Sequence, residues 1–89
     1  MKSVQIIVSG RVQGVFFRAN IRDKAMELGL KGCAKNLENG DVEIVAQGNE
    51  DKINNLIKFI KNNPGHSKVE NIKIYNKLVE NFKTFEIIP

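Results

Sequence analysis

"VQIIVSGRVQGVFFRANIRDKAMELG", residues 4–29, changes its apolar period midway. Val4, Ile6 and Val8 alternate, with Ile7 on the other face, which is the two-residue repeat of a strand over residues 3 to 9. From Phe17 the repeat lengthens, and Phe17, Ile21, Ala25 and Leu28 fall on one helical stripe. Gly29 stands where a left-handed residue ends a helix, and Leu30 supplies the hydrophobic residue after it. Between strand and helix lies a short joint with Gly10, Gly14, Arg11, Arg18 and the adjacent Phe16 and Phe17.

The chain downstream repeats the alternation of strand and helix. A second strand is expected over residues 32 to 37, followed by Asn39-Gly40, the strongest short hairpin signal. Val42, Ile44 and Ala46 alternate in a third strand. Asn49 is placed to cap a second helix, with Glu50 and Asp51 favourable to its dipole. Ile53, Leu56, Ile57 and Ile60 make its buried stripe, and "NNPG" stops it. A fourth strand is expected over residues 68 to 76, and a short last one in "KTFEII". This βαββαβ order predicts an α+β, split βαβ or ferredoxin-like sandwich. Its expected form is one antiparallel sheet, two helices on one face and a short extra C-terminal strand. Many unrelated functions use that architecture.

Eighty-nine residues are enough for one core, so residues 1–89 read as a single domain. The 42% hydrophobic and 27% charged fractions are those of a globule rather than a disordered chain. No apolar run approaches the ~20 residues of a membrane span, and Lys2 leads only into a short alternating strand, unlike a signal peptide. Cys33 is alone, which excludes an internal disulfide and fits a reducing compartment, so the cytoplasm is the expected location. With one Cys and one His (His66), a structural zinc site has no ligand set. The net charge of +4 raises the question of nucleic acid, but the lysines are scattered rather than gathered in a stripe. The arginines are gathered: Arg11, Arg18 and Arg22 lie together, with no acidic residue before Asp23. Arg11 and Arg22 have ordinary readings as solvated surface residues.

The joint reads as a device for an anion. Glycine at 10 and 14 permits backbone angles closed to other residues and a close approach to a ligand. A strand that turns sharply into a helix leaves the first helical amides unpaired and adds the positive end of the dipole. Gln13, Gly14, Val15, Phe16, Phe17 and Arg18 then form a concave set of donors, with the Arg18 guanidinium at its end. In the split βαβ arrangement the first and second strands end on the same edge, two strand spacings or roughly 10 Å apart. Asn36, at the end of the second strand, faces Arg18 across that gap, and a carboxamide can orient a water without carrying charge. Taken alone, Asn36 beside Asn39-Gly40 reads as a turn residue. No Ser, Cys or His falls in the joint, and Ser9 just before it has no nearby base, which disfavours a covalent phosphoenzyme. No carboxylate pair offers magnesium binding or acid–base work. Such a site suits a phosphate whose leaving group needs no help, and an acyl phosphate has one.

At these residues the chain resembles a known family. "GRVQGVFFR" (Gly10 to Arg18) resembles the signature loop of acylphosphatases, and Gly32 through "AKN" to Asn36, then Gly40, Val42 and Gly48, resembles their second motif at the same spacing. The likeness extends to the Pro64-Gly65 stop and the closing "FEI". The resemblance implies that Arg18 binds phosphate together with neighbouring amides, Gly14, Val15, Phe16 and Phe17 among them, and that Asn36 orients the attacking water. It implies hydrolysis of carboxyl phosphates to carboxylate and inorganic phosphate, with no metal or organic cofactor. Acetyl phosphate, carbamoyl phosphate and 1,3-bisphosphoglycerate all fit as substrates. Phosphate is expected as product and competitive inhibitor, with neither nucleic acid nor membrane as partner and a monomer as the state. A related domain occurs fused within hydrogenase-maturation proteins; a free-standing enzyme is expected here. One departure stands out. The family usually carries an aromatic after the glycine of the second motif, where this chain has Cys33 and then Ala34, so a looser pocket is expected.

Two other readings compete. A non-catalytic phosphate or small-anion module would use the same cradle without turnover. A single-strand nucleic-acid binder would use Phe16 and Phe17 for stacking, as RNA-recognition sheets of this topology do. Those sheets carry their aromatics on central strands, and "DVEIVAQ" has none and two acids. Phe17 is better placed in the core, with Phe16 packed near the loop.

Overall fold

The computed structural model describes residues 1–89. Its elements run β1 (Lys2–Arg11), α1 (Phe17–Glu27), β2 (Lys31–Asn36), β3 (Val42–Gly48), α2 (Glu50–Lys61), β4 (Lys68–Asn76) and β5 (Phe85–Ile88). They form a five-stranded sheet in the order β4-β1-β3-β2-β5. The first four strands are antiparallel to their neighbours, as expected. The fifth is the expected extra C-terminal strand, and it lies parallel to β2, with Gly32 opposite Phe85 and Lys35 opposite Ile88. The cause is topological. β4 ends beside the start of β1, at Val4 and Asn76, so the chain must cross to the far edge and run back up. It crosses the helix-free face, where the Gln47 carboxamide donates through Nε2 to the Glu80 carbonyl at 2.7 Å and accepts at Oε1 from the Glu80 amide at 2.9 Å.

Both helices pack on the other face. Phe17, Ile21 and Ala25 of α1, and Ile53, Leu56 and Ile60 of α2, are buried against Val4, Ile6, Val8, Ala34, Val42, Ile44 and Ala46. All but Ala34 are residues picked out by the two periods, because each repeat puts its apolar members on one face; Leu28 and Ile57 of the expected stripes are only partly buried. Helix α1 ends in a full Schellman motif: the Leu30 amide reaches the Ala25 carbonyl and the Gly29 amide reaches that of Met26. Asn49 caps α2, its side-chain oxygen accepting from the Asp51 amide at 2.8 Å.

β1 runs on past the expected residue 9 to Arg11, through a bulge between Ser9 and Gly10 in its pairing with β4. Only glycine fits there. A Cβ on residue 10 would stand 2.2 Å from the Lys68 carbonyl oxygen, and the backbone has φ of 123°. The bulge twists the end of β1 and aims the chain into the joint.

Candidate active site

β1 and β2 both run antiparallel to the β3 strand between them, and β5 runs parallel to β2, so all three strands finish at one end of the sheet. The joint leaves β1 at that end. Val12 turns inward and is buried at its base. Gly14 has φ of 72°, and Phe16 takes φ 59° and ψ 22°, the left-handed region, immediately before α1. A bulky residue in that region is a backbone outlier. No main-chain amide from Gln13 to Ala19 donates to another main-chain group, and none donates to a side chain.

The two helix starts differ sharply. α2 has the Asn49 cap and two acids, Glu50 and Asp51, in its first turn. α1 has no side-chain cap and no acid in its first turn. The partial positive charge at the start of α1 is therefore left without a counter-charge from the protein.

The start of α1 opens onto a hollow of about 270 Å³. Gly14, Phe16, Phe17 and Arg18 line it from the joint, and Asn36 lines it from the end of β2. The structure thus brings Arg18 and Asn36 to one cavity. Asn36 is exposed, and its carboxamide makes no hydrogen bond within the protein, which leaves it free to meet a ligand or water. Gln13 and Val15 are not part of the lining. The Gln13 side chain instead donates to the Leu37 carbonyl at 2.9 Å and the Asp41 carbonyl at 2.8 Å, pinning the joint to the β2–β3 hairpin.

Three features were not expected from sequence. Phe16 does not pack near the loop; it is 81% exposed. Phe17 takes the core position beside it, and Phe16, on a left-handed backbone, is left exposed and lining the hollow. β5 contributes to the site as well. Ile87 lines the hollow, and the Ile88 carbonyl accepts from Nη1 of Arg18 at 2.9 Å. A main-chain acceptor carries no residue-type signal, although the closing "FEI" pointed to the segment. Finally, Cys33 does not loosen the pocket. Its register opposite Val45 and Glu86 puts it on the helix-free face, whereas Ala34 is in the core and Asn36 shares Ala34's side. Burial pushes the Cys33 thiol up from its ordinary pKa, with further contributions from the Glu43 and Glu80 carboxylates.

Arg22 pairs with Asp23 at the surface at 3.1 Å, and Arg11 is exposed at the end of β1, so of the three arginines only Arg18 reaches the hollow. No group of three or more His, Cys, Asp or Glu is placed to hold a metal ion. Neither helix is long and apolar enough to cross a membrane.

This fold and this cavity define a small ferredoxin-like α+β protein with a donor-lined hollow at the C-terminal ends of its parallel-running strands. Comparison with known proteins narrows the class to one family. The acylphosphatase family model matches residues 4–87, and the chain belongs to that family. An acylphosphatase of Coxiella burnetii is 43% identical over 84 residues, covering 94% of this chain and 88% of that one. The solved structure of a Coxiella burnetii acylphosphatase superposes with a TM-score of 0.92 at 41% identity, over 98% of this chain and 92% of that chain. The acylphosphatase of Bacillus subtilis gives 0.95 at 37% identity over the whole of both chains.

Proposed function

We propose that the hollow holds the phosphoryl group of an acyl phosphate while a water oriented by Asn36 attacks phosphorus. Amides of Gln13, Gly14, Val15, Phe16, Phe17 and Arg18 supply the donors, and the Arg18 guanidinium supplies the full charge. The water oxygen bonds to phosphorus as the bond from phosphorus to the acyl oxygen breaks. The electron pair departs with the carboxylate, and both water protons remain on the phosphate, released as H2PO4−. The leaving group is the base of an acid with pKa of roughly 4, so no general acid is required. Catalysis then consists of positioning and charge stabilisation. Membership of the acylphosphatase family supports the reaction. The observation that carries the residue assignment is the uncapped, acid-free start of α1, which carries Arg18 and shares one cavity with Asn36 at the end of β2.

Phosphate release from benzoyl phosphate in the presence of a chelator tests this reading, with inorganic phosphate as competitor. Arg18→Gln should weaken phosphate inhibition and kcat/KM together, since its charge-assisted bonds exist in the ground state. Asn36→Ala should chiefly lower kcat. Full turnover in the Asn36 variant would remove the oriented water from the mechanism. Absence of turnover in the wild-type protein would leave only an anion-binding module. In the same reading the protein acts as a cytoplasmic monomer of one domain, without metal.

A further inference from the structure

The hollow has two chemically different walls. Arg18 and Asn36 form the polar one, with the amide of Gly14 beside them. Phe16, Ala19 and Ile87 form the other, and Arg18 is the only charged side chain in the lining. Ile87 lies opposite Ala34 on β5, on the same side of the sheet as Asn36, so it flanks the position given to the water. Phe16 gives the fold almost no burial, being 81% exposed. It also sits at φ 59°, where a bulky side chain is strained and glycine is not. An aromatic ring that is 81% exposed, carried on a strained backbone and lining the hollow proposed to take the phosphoryl group, is placed to meet the rest of the ligand.

We infer that Phe16 and Ile87 form an acyl subsite that favours acyl phosphates with a flat, apolar acyl group over acetyl phosphate. The inference rests on the acyl phosphate reading of this hollow. The subsite is small: about 270 Å³ must also hold the phosphoryl group, and sites that enclose drug-sized ligands begin near 300 Å³. One ring stacked on Phe16 fits that size. An offset or edge-on aromatic pair contributes enough to change binding roughly two- to tenfold.

The test compares two substrates within each enzyme, so that any effect of a variant on the phosphate cradle cancels. kcat/KM is measured for benzoyl and acetyl phosphate in the wild type, Phe16→Ala, Phe16→Tyr and Ile87→Ala. The benzoyl-to-acetyl ratio should fall roughly two- to tenfold in both alanine variants and be kept in Phe16→Tyr. A second readout needs no turnover. Phenylphosphonate should compete more tightly than methylphosphonate in the wild type, and the two should draw level in Phe16→Ala. An unchanged substrate ratio in both alanine variants overturns the subsite, as does equal inhibition by the two phosphonates in the wild type. Lack of hydrolysis of either substrate by the wild type overturns the reaction instead, a separate result.

Discussion

The start of α1 is where function and stability pull in opposite directions, and one position exposes the conflict. Ala19 lies in the first turn of α1 and lines the hollow. Glutamate there would supply the acid that α1 lacks. Glutamine has the same shape without the charge, so the pair Ala19→Glu and Ala19→Gln isolates electrostatics. The carboxylate should stabilise the helix start by about 0.3–1 kcal/mol relative to glutamine. In a domain of this size that raises Tm by about 1–8 °C. The same charge should repel a bound anion. The hollow holds about 270 Å³, a sphere about 8 Å across, and at an effective dielectric of about 20 two unit charges that far apart repel by about 2 kcal/mol. Even from the far wall, each negative charge on the ligand then weakens binding roughly thirtyfold. The assays are thermal unfolding without phosphate and competitive inhibition by inorganic phosphate. The glutamate variant should be the more stable and the poorer binder of the two. Equal phosphate affinity in both variants would mean that the anion does not sit at this helix start, and the cradle argument would fail.

Other consequences follow from the same contacts. Gly14→Ala meets empty space but must hold φ of 72°, which costs about 1 kcal/mol. Gly10→Ala drives a Cβ to 2.2 Å from the Lys68 carbonyl oxygen and should cost about 3 kcal/mol or more; denaturant midpoints in the reverse order would contradict this account of the bulge. Gln13→Ala loses two bonds, at 2.9 and 2.8 Å, and should cost about 1–3 kcal/mol while lowering kcat/KM, because the joint is no longer tied to the strand end that carries Asn36. A variant with native stability and activity would deny Gln13 that role. The Cys33 thiol, held above its ordinary pKa by burial and by Glu43 and Glu80, keeps its proton in the folded chain where the unfolded chain releases it. Stability from this group is therefore full at neutral pH and lost as pH rises beyond about 8.5. Between pH 7 and 9.5 the wild type should lose more Tm than Cys33→Ala, and parallel losses would refute the assignment.

What could be read from sequence divides along a physical line. Features encoded by a residue's own chemistry were legible. The stripes of α1 and α2, the Gly29 termination and the Asn49 cap depend on side chains and neighbours a few residues away. Arg18 and Asn36 were legible as well, because a rule of topology placed the ends of β1 and β2 on one edge of the sheet, with β3 between them. Features made by distant main chain were not. The collision that demands glycine at residue 10 comes from Lys68, on another strand. The acceptor that holds Arg18 is the carbonyl of Ile88, and those that hold Gln13 belong to Leu37 and Asp41. A carbonyl is the same on every residue, so no residue type announces it. The exposure of Phe16 on its left-handed backbone falls in the same class, since hydrophobicity does not announce a backbone angle.

The local rules of helix formation are broken in one place only, and the breaks share a direction. A cap is absent, the first turn has no acid, the amides from Gln13 to Ala19 have no main-chain acceptor, and Phe16 is held left-handed. Each of these lowers stability, yet together they leave unpaired donors and partial positive charge beside the hollow that Gly14, Phe16, Phe17 and Arg18 line. The guanidinium is shared in a consistent way. One nitrogen of Arg18 is anchored on Ile88, which orients the fork and leaves its other N–H groups for a ligand. Lysine would do both less well, because its three N–H groups radiate from one nitrogen, whereas the guanidinium spreads five over a rigid planar fork. The parallel edge strand, which looks like an accessory to the sandwich, is therefore what lets one residue be both fixed and available.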